Sequence, residues 1–462
     1  MTPDDIVITG LGLVTPAGVG TQATWERLLV AESTAATDPQ LAGLPVDISC
    51  RVPGFDAAAL LGRRLDLRLD RVTKLALVAA REAVTDAGLA GGAWDPARVA
   101  VVIGIGSCSF DRYESEFAKL AEGRLAYVSP LLIVRSVSSM TAGEVALDLR
   151  THGPSLAVST ACASGTTALG IARDLLRAGS CDIAIAGGAE ANCTRIPAVC
   201  FSQMRALSRR CHAPAAASRP FDRDRDGFVL GEGAGLMVLE RAAHARARRA
   251  APRARLAGYG ASCDAHHIAI PHPQGRGAVQ ALRTALDDAG LSPQDIGFVN
   301  AHGTATREND LTESRALHEV FSRVPPVTSL KGTLGHSLGA TGAIEAACTV
   351  LSLQHGLIPP TANLECPDPA IDLDVVRRAP RSLPLSAAVS NSFGFGGHNA
   401  VVVLTDTDAP SFHGRAGTSV AVRESGEGNR RQLDELVLPA AGEPLAVRAE
   451  GDAEDHVVVL DP

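Results

Sequence analysis

A cysteine within a run of small residues is the first candidate for chemistry in this sequence. Cys162 lies in the stretch VSTACASGTTALGIA, which runs from Val158 to Ala172. The residues before it favour a strand, and apolar residues after it recur at helical spacing, so the pattern predicts Cys162 at a strand–turn–helix junction. Unpaired N–H groups and the positive end of the helix dipole favour the reactive thiolate there. The alternative is a buried cysteine that packs as a small apolar side chain, and this stretch alone favours neither.

Two histidines and a lysine occupy polar turns in the second half of the chain. His302 and two threonines, Thr304 and Thr306, lie in NAHGTATREND, just after a predicted buried strand. Lys331 and His336 lie in KGTLGHSLGATGA, a glycine-punctuated loop before a predicted helix. Loops that follow buried strands are where functional sites collect in α/β proteins.

A cysteine combined with two histidines predicts nucleophilic catalysis, and acyl transfer is the natural chemistry for such a group. The thiolate would take an acyl group from a thioester, and the histidines would stabilise negative charge on the carbonyl of a second substrate. Each histidine taken singly is more often a structural hydrogen-bonding residue. A third loop, NSFGFGGHNA, surrounds Phe395 with glycines, which lets its backbone N–H approach a ligand closely.

The elements that must position these residues alternate between strand and helix. Buried strands are predicted at 98–104 and 181–188, and such alternation predicts a parallel sheet with covered faces. The order of elements occurs twice along the chain. We therefore expect an N-terminal half carrying the nucleophile at 1–252 and a C-terminal half carrying the two histidines at 253–408. Residues 409–462 are rich in Pro, Ser, Gly and charge, and they predict a largely disordered tail.

Composition limits the classes of function. The chain has 462 residues, 46% of them hydrophobic, which is enough for one large core or two. A net charge of −8 argues against nucleic acid as the main partner. Ten cysteines without C-x-x-C pairs disfavour a zinc site or a disulfide framework. The sequence shows no signal peptide and no apolar run long enough to span a membrane, so we expect a cytoplasmic protein.

Five motifs together resemble the β-ketoacyl-acyl-carrier-protein synthase family of condensing enzymes. They are VSTACASG, SRPFDRDRDGFVLGEGAG, NAHGT, KGTLGHSLGATGA and NSFGFGGHN, in the family order, across about residues 4–406. The resemblance implies an α/β thiolase fold, with two similar βαβ halves in a five-layer α-β-α-β-α arrangement. It implies an acyltransferase that condenses an enzyme-bound acyl group with malonyl-acyl carrier protein, with loss of carbon dioxide. It implies no resident cofactor and no metal, because phosphopantetheine arrives on the carrier protein.

The resemblance also implies roles for individual residues. Cys162 matches the acylated nucleophile, and His302 and His336 match the pair that assists decarboxylation and holds the malonyl thioester carbonyl. Lys331 matches the lysine near the second histidine, and Glu313 matches the glutamate with which that lysine pairs.

Four further positions match residues that line or support the site in the family. The backbone N–H groups of Cys162 and Phe395 match the oxyanion hole, and Phe395 also matches a gating phenylalanine. Thr304 and Thr306 match threonines that contact phosphopantetheine, and Asn399 matches a structural asparagine near the site.

This sequence departs from its relatives at positions that bear on the acyl pocket and on the pathway. Ser107 stands where fatty acid relatives commonly carry a branched aliphatic residue that limits the acyl pocket, which predicts a deeper or more polar cavity unless a neighbour refills it. Many relatives have proline at the position of Arg307. The segments 306–310, 335–340 and 359–369 look more like polyketide enzymes, whereas TACASG looks more like fatty acid enzymes.

This mixture predicts the ketosynthase of a type II polyketide system, with a fatty acid elongation ketosynthase of the KAS II type as the alternative. Cys162 argues against the chain-length-factor relatives, which lack the nucleophile. An alternative of another class is an interaction subunit that kept the cysteine but no longer condenses. The implied partners are an acyl carrier protein and a second subunit, which makes either a homodimer or a heterodimer with a chain-length-factor homologue.

Overall fold

The structure is a computed structural model that describes residues 2–107 and 110–408. The expectation of a disordered tail at 409–462 lies outside the described residues. None of the helices within the described ranges is long and apolar enough to cross a membrane.

Ten strands, five in each half of the chain, form the framework of the described part. The first five are β1 (Ile6–Thr15), β2 (Val99–Gly104), β3 (Ser155–Val158), β4 (Ile183–Ala191) and β5 (Glu232–Arg241). The second five are β6 (Ala254–Cys263), β7 (Phe298–Asn300), β8 (Val327–Thr328), β9 (Ala387–Gly394) and β10 (His398–Thr405). Their spatial orders are β1-β5-β4-β2-β3 and β6-β10-β9-β7-β8. The two orders are identical, which confirms that the order of elements occurs twice.

Strand directions are mixed within each set of five. β1, β5 and β4 pair antiparallel, and β4, β2 and β3 pair parallel. The second set repeats this, with β6, β10 and β9 antiparallel and β9, β7 and β8 parallel. The prediction of a parallel sheet is therefore wrong for part of the sheet. Strands that are covered on both faces have the same continuous apolar pattern whatever their direction, so the pattern could not distinguish the two.

Six helices cover the strands in layers. They are α1 (Arg71–Asp86), α2 (Ser139–Leu149), α3 (Ser164–Arg177), α4 (Arg276–Ala289), α5 (Arg307–Val320) and α6 (Thr341–His355). α1 packs on the first set of strands and α4 on the second, whereas α3 and α6 contact strands of both sets and each other. The resulting order of layers, helix, sheet, helix, sheet, helix, is the predicted five-layer arrangement.

The central layer depends on close contact between α3 and α6. Every residue of α6 from Thr341 to Leu353 is buried, which fits a helix enclosed on all sides. A Cβ atom added at Gly165 in α3 would lie 2.8 Å from the backbone nitrogen of Ala343 in α6. Glycine at this position therefore lets the two helices approach without a clash.

Short elements complete the described chain. The remaining helices are Thr21–Val30, Ala57–Leu61, Arg63–Arg68, Phe110–Ala121, Leu132–Ser136, Arg195–Gln203, Ala242–Ala247 and Lys331–Leu334. Two-residue strands lie at Gly18–Val19, Ala36–Thr37, Ile48–Ser49, Leu357–Ile358 and Arg381–Ser382. The first of these strands pairs with β1, and β1 also joins the two sets of strands through a short antiparallel contact with β6.

Candidate active site

Cys162 lies in a tight turn between β3 and the N-terminus of α3, as the sequence predicted. Ala161, just before it, has φ of 50°, in the left-handed region that side chains usually avoid. The Ser164 hydroxyl stabilises this turn, because it accepts from the Thr160 backbone N–H at 2.9 Å and donates to the Ala161 carbonyl at 2.6 Å. The thiol is thereby held at a fixed point at the start of a central helix.

The Cys162 side chain is only 4% exposed, and burial raises the pKa of its thiol to about 12. A backbone N–H from Phe395 and the positive charge of Lys331 oppose this rise but do not cancel it. The helix N-terminus was expected to favour the thiolate, whereas desolvation by burial in this pocket acts in the opposite direction and favours the neutral thiol. The sulfur keeps its proton at neutral pH and must lose it as it attacks.

His302 and His336 face each other, with ring centroids 5.4 Å apart and planes at 81°. Burial, and then the charge of Lys331, hold the pKa of both imidazoles well below the usual range, so both are neutral at pH 7. His336 Nδ1 lies 3.0 Å from the Thr341 hydroxyl oxygen. When that hydroxyl donates to Nδ1, Nε2 carries the proton and is the nitrogen available as a donor. His302 Nδ1 has no hydrogen-bond partner within the described residues.

Glu313 on α5 fixes the backbone that carries His302. Its carboxylate accepts from the backbone N–H groups of His302 and Gly303, both at 2.8 Å, and from the Asn391 side-chain amide at 3.1 Å. The turn after β7 is therefore anchored to a helix, and Glu313 supports the site by holding that turn.

Lys331 pairs with Glu345 on α6, at 2.6 Å between Nζ and Oε1, and not with Glu313 as the resemblance implied. Both side chains are buried, and Glu313 is occupied by backbone groups. Burial raises the pKa of Glu345 to about 7, against the opposing charge of Lys331. Sequence reasoning missed Glu345, although an acid within the apolar run of α6 was a usable signal, because a buried charge needs a partner.

The candidate residues converge on a pocket of about 670 Å³. Of the residues predicted from the sequence, those that line it are Cys162, His302, Thr304, Thr306, His336, Phe395 and Asn399. The hydroxyls of Thr304 and Thr306 lie 2.9 Å apart. Lys331 and Glu313 do not line the pocket and lie behind the residues that do.

The glycine-rich loop after β9 brings the Phe395 N–H to Cys162. A Cβ atom added at Gly394 would lie 2.8 Å from the Thr160 carbonyl oxygen and 3.0 Å from the Cys162 nitrogen, so the contact requires glycine. The side-chain amide of Asn399 donates to Asp264 at 2.8 Å and to the Gly397 carbonyl at 3.2 Å, which holds the loop from its other end.

Ser107 is not among the residues that line this pocket, and its place on the wall of the acyl pocket stays a prediction. Its hydroxyl donates to Glu190 Oε1 at 3.1 Å and accepts from the Asn192 side-chain amide. Glu190 also accepts from the backbone N–H of Gly106 at 2.9 Å, so this serine belongs to a buried polar cluster beside β4. A preference for such local bonding cannot be read from the residue type alone.

The described residues contain no group of three or more histidine, cysteine or acidic side chains arranged to hold a metal ion. The pocket itself presents a thiol and two neutral imidazoles.

Comparison with known proteins gives a consistent result. The family model for the N-terminal domain of β-ketoacyl synthases matches residues 3–245, and the model for the C-terminal domain matches residues 253–365. A 3-oxoacyl-[acyl-carrier-protein] synthase 2 from Synechocystis sp. is 40% identical over 406 residues, which cover 86% of this chain and 97% of that protein.

Solved structures give the same picture. The ishigamide ketosynthase/chain length factor matches with a TM-score of 0.82 and 34% identity, over 87% of this chain and 99% of that one. A type II PKS ketosynthase bound to the hexaketide, in complex with its acyl-carrier protein, matches with a TM-score of 0.81 and 31% identity, over 88% and 100% of the two chains.

The raised thiol pKa predicts an unusual pH dependence for alkylation of Cys162. Only the thiolate reacts, and its fraction rises about tenfold per pH unit below the pKa. We expect the alkylation rate by iodoacetamide to keep rising from pH 7 to pH 10, measured by mass spectrometry of the Cys162 peptide. Free cysteine in the same buffers levels off above about pH 8.5 and is the control. A plateau for Cys162 below pH 9 would contradict the pKa shift.

The buried pair predicts strong energetic coupling between Lys331 and Glu345. Glu345→Ala leaves a buried ammonium without its partner, so we expect the free energy of unfolding in urea to fall by about 3–5 kcal/mol. Combining Lys331→Met with Glu345→Leu removes both charges and should recover most of that loss. The double variant Lys331→Met with Glu313→Ala serves as the control. Its loss in free energy of unfolding should equal the sum of the losses of the two single variants. Coupling of Lys331 with Glu313 instead would show that the pairing is misassigned.

Proposed function

The chain belongs to the β-ketoacyl synthase family, and we propose that it acts as the ketosynthase of a type II polyketide system. Family membership and the relatives make it a condensing acyltransferase that forms β-ketoacyl thioesters. The observation that carries the assignment of the individual residues is the pocket itself, which is lined by one thiol and two neutral imidazoles.

The first half-reaction transfers an acyl group to Cys162. The sulfur attacks the carbonyl carbon of an acyl thioester, its proton passes to the departing pantetheine thiol, and a new thioester forms on the enzyme. Negative charge develops on the carbonyl oxygen during the attack. The backbone N–H groups of Cys162 and Phe395 are the donors that would stabilise it, and preorganised donors of this kind are worth about 10²–10³ in rate.

The second half-reaction uses His302 and His336. The thioester oxygen of a malonyl group accepts from the imidazole N–H groups, the bond to the carboxylate breaks, and carbon dioxide leaves an enolate. The enolate carbon attacks the acyl carbonyl on Cys162, so a carbon–carbon bond forms and the carbon–sulfur bond breaks, and the released Cys162 thiolate takes a proton from water to become the thiol again. A neutral imidazole donates to the enolate oxygen without needing a counter-charge, which agrees with the lowered pKa of both rings.

The substrate arm and its carrier account for two hydroxyls in the pocket wall. Thr304 and Thr306 line the pocket with hydroxyl oxygens 2.9 Å apart, and they would contact the phosphopantetheine of an acyl carrier protein. A complex of a ketosynthase with its acyl-carrier protein is known for one similar structure. We propose a carrier protein as the partner that delivers both the acyl and the malonyl group.

A second subunit is supported by an edge of the first set of strands that no strand of the described residues covers. β3 ends the strand order, and its residues Ser155, Leu156 and Ala157 are exposed. Large apolar side chains are also exposed on the helix Phe110–Ala121 and the segment after it, including Phe117 and Tyr127. An open edge beside apolar surface is typical of an interface. A second copy or a chain-length-factor homologue would cover it, and the ishigamide structure contains a chain length factor.

The most specific part of the proposal is the pathway, polyketide or fatty acid synthesis, in which the enzyme acts. The polyketide assignment rests on the motifs at 306–310, 335–340 and 359–369 and agrees with the similar type II PKS structure. Fatty acid elongation is the second candidate, since the relative from Synechocystis sp. carries the name of that activity.

The two half-reactions predict different outcomes for the histidine and cysteine variants. His302→Ala and His336→Ala should still accept an acyl group on Cys162, detected by intact mass, while condensation with malonyl-carrier falls about 10²–10³-fold through the loss of one donor. Cys162→Ala should fold but neither acylate nor condense. Normal condensation by both histidine variants would remove them from the mechanism. If the wild-type chain does not condense at all, the protein is an interaction subunit.

The pathway predicts which acyl chains accumulate on the enzyme. Supplied with carrier protein and malonyl-carrier but no reducing enzymes, a polyketide ketosynthase with its partner should carry poly-β-keto chains of more than two acetate units on Cys162. A fatty acid enzyme should stop after one condensation, because its next substrate must be reduced first. Intact mass of the acylated protein separates the two, and a single condensation with every tested partner subunit would favour the fatty acid candidate.

A further inference from the structure

We propose that Arg225 is a positioning residue that sets the affinity of the site for the pantetheine arm of its substrates. This inference rests on the proposed function, because it concerns the turn that carries Thr304 and Thr306. Arg225 itself lies behind the pocket wall, is 2% exposed, and does not contact the pocket.

The guanidinium of Arg225 joins three separate segments of the chain. Nε donates to the Thr306 carbonyl and Nη2 to the Arg307 carbonyl, both at 3.2 Å. Nη1 donates to the Asp222 carbonyl at 3.0 Å and to the Asp368 carboxylate at 2.6 Å. These contacts hold the last residue of the threonine turn, and the first residue of α5, against two loops that are far away in sequence.

The turn requires such support because its backbone is strained. Ala305, between the two threonines, has φ of 65°, a left-handed conformation that a residue with a side chain seldom adopts. Its N–H donates to the Asp310 carboxylate at 3.2 Å, and its carbonyl accepts from the Gly227 N–H at 3.1 Å. Asp310 also accepts from the Phe221 N–H at 2.8 Å and lies 3.5 Å from the Arg225 guanidinium.

The geometry of the two hydroxyls follows from this support. In the supported turn Thr304 and Thr306 present their oxygens 2.9 Å apart in one wall of the pocket. A lysine at position 225 keeps the charge but not the planar arrangement of donors, so it cannot bond both carbonyls and the Asp368 carboxylate together. The turn would then relax, and the threonines would lose their alignment while the Cys162 turn stays intact.

The experiment compares Arg225→Lys with Arg219→Lys in the full-length protein. Arg219 is a matched control, because it is also buried in this network and pairs with Asp222, and the structure gives it no contact with the threonine turn. Acylation of Cys162 is measured with an acetyl-pantetheine thioester, and accessibility of Cys162 with iodoacetamide, which has no pantetheine arm. For Arg225→Lys we expect KM for the thioester to rise about tenfold, with kcat and the alkylation rate within about twofold of wild type. For Arg219→Lys we expect all three to stay within about twofold.

Equal KM values for the two variants would overturn the proposal, and so would a fall in kcat or alkylation for Arg225→Lys, since either means a general structural role. If Arg225→Lys does not fold, as judged by thermal unfolding, Asp368→Asn replaces it, because it removes the negative charge that holds the Arg225 guanidinium and leaves the residues of the threonine turn unchanged. We expect the same rise in KM for that variant, and an unchanged KM would equally overturn the proposal. Failure of wild-type Cys162 to acylate at all would instead overturn the proposed function.

Discussion

The buried charge of Lys331 is the interaction on which the rest of the site depends. Burial is the main cause of the lowered pKa of His302 and His336, and the charge of Lys331 lowers it further; the same charge partly offsets the burial that raises the pKa of Cys162. An ammonium in a dry interior is tolerated only when a carboxylate compensates it, and Glu345 supplies that carboxylate from the central helix α6. A side chain that does not line the pocket thus contributes to the electrostatics of all three groups.

The repeated fold explains why residues far apart in sequence meet. His302 follows β7, Lys331 follows β8 and Phe395 follows β9, and these three strands run parallel, so their ends lie at the same edge of the sheet. Cys162 follows β3 of the other set and begins α3, which packs in the layer between the two sets. The pocket therefore forms where the two halves meet, and neither half could build it alone.

The sequence alone predicted the strand–turn–helix at Cys162, the loops of the two histidines and the twofold order of elements, because local patterns determine each of these. It did not predict strand direction, since strands buried on both faces have one pattern in either direction. The resemblance named Glu313 as the partner of Lys331, whereas the structure shows Glu345. The choice depends on which carboxylate is already occupied by backbone N–H groups, and the sequence does not show this. The burial that raises the pKa of Cys162 and the hydrogen bonds of Ser107 to Glu190 and Asn192 could not be predicted for a similar reason, since both follow from packing between distant segments.

The exposed edge at β3 has a consequence for how the chain must be made in the cell. A strand edge flanked by apolar surface can add a complementary strand, so if the proposed second subunit covers this edge, a newly folded chain that has not yet bound it is open to misassembly and aggregation. When folding and assembly are linked in this way, the stability of each subunit depends on the concentration of the other. If the partner is a different protein, the two must be synthesised in matched amounts, and overproduction of one alone would yield mostly insoluble material.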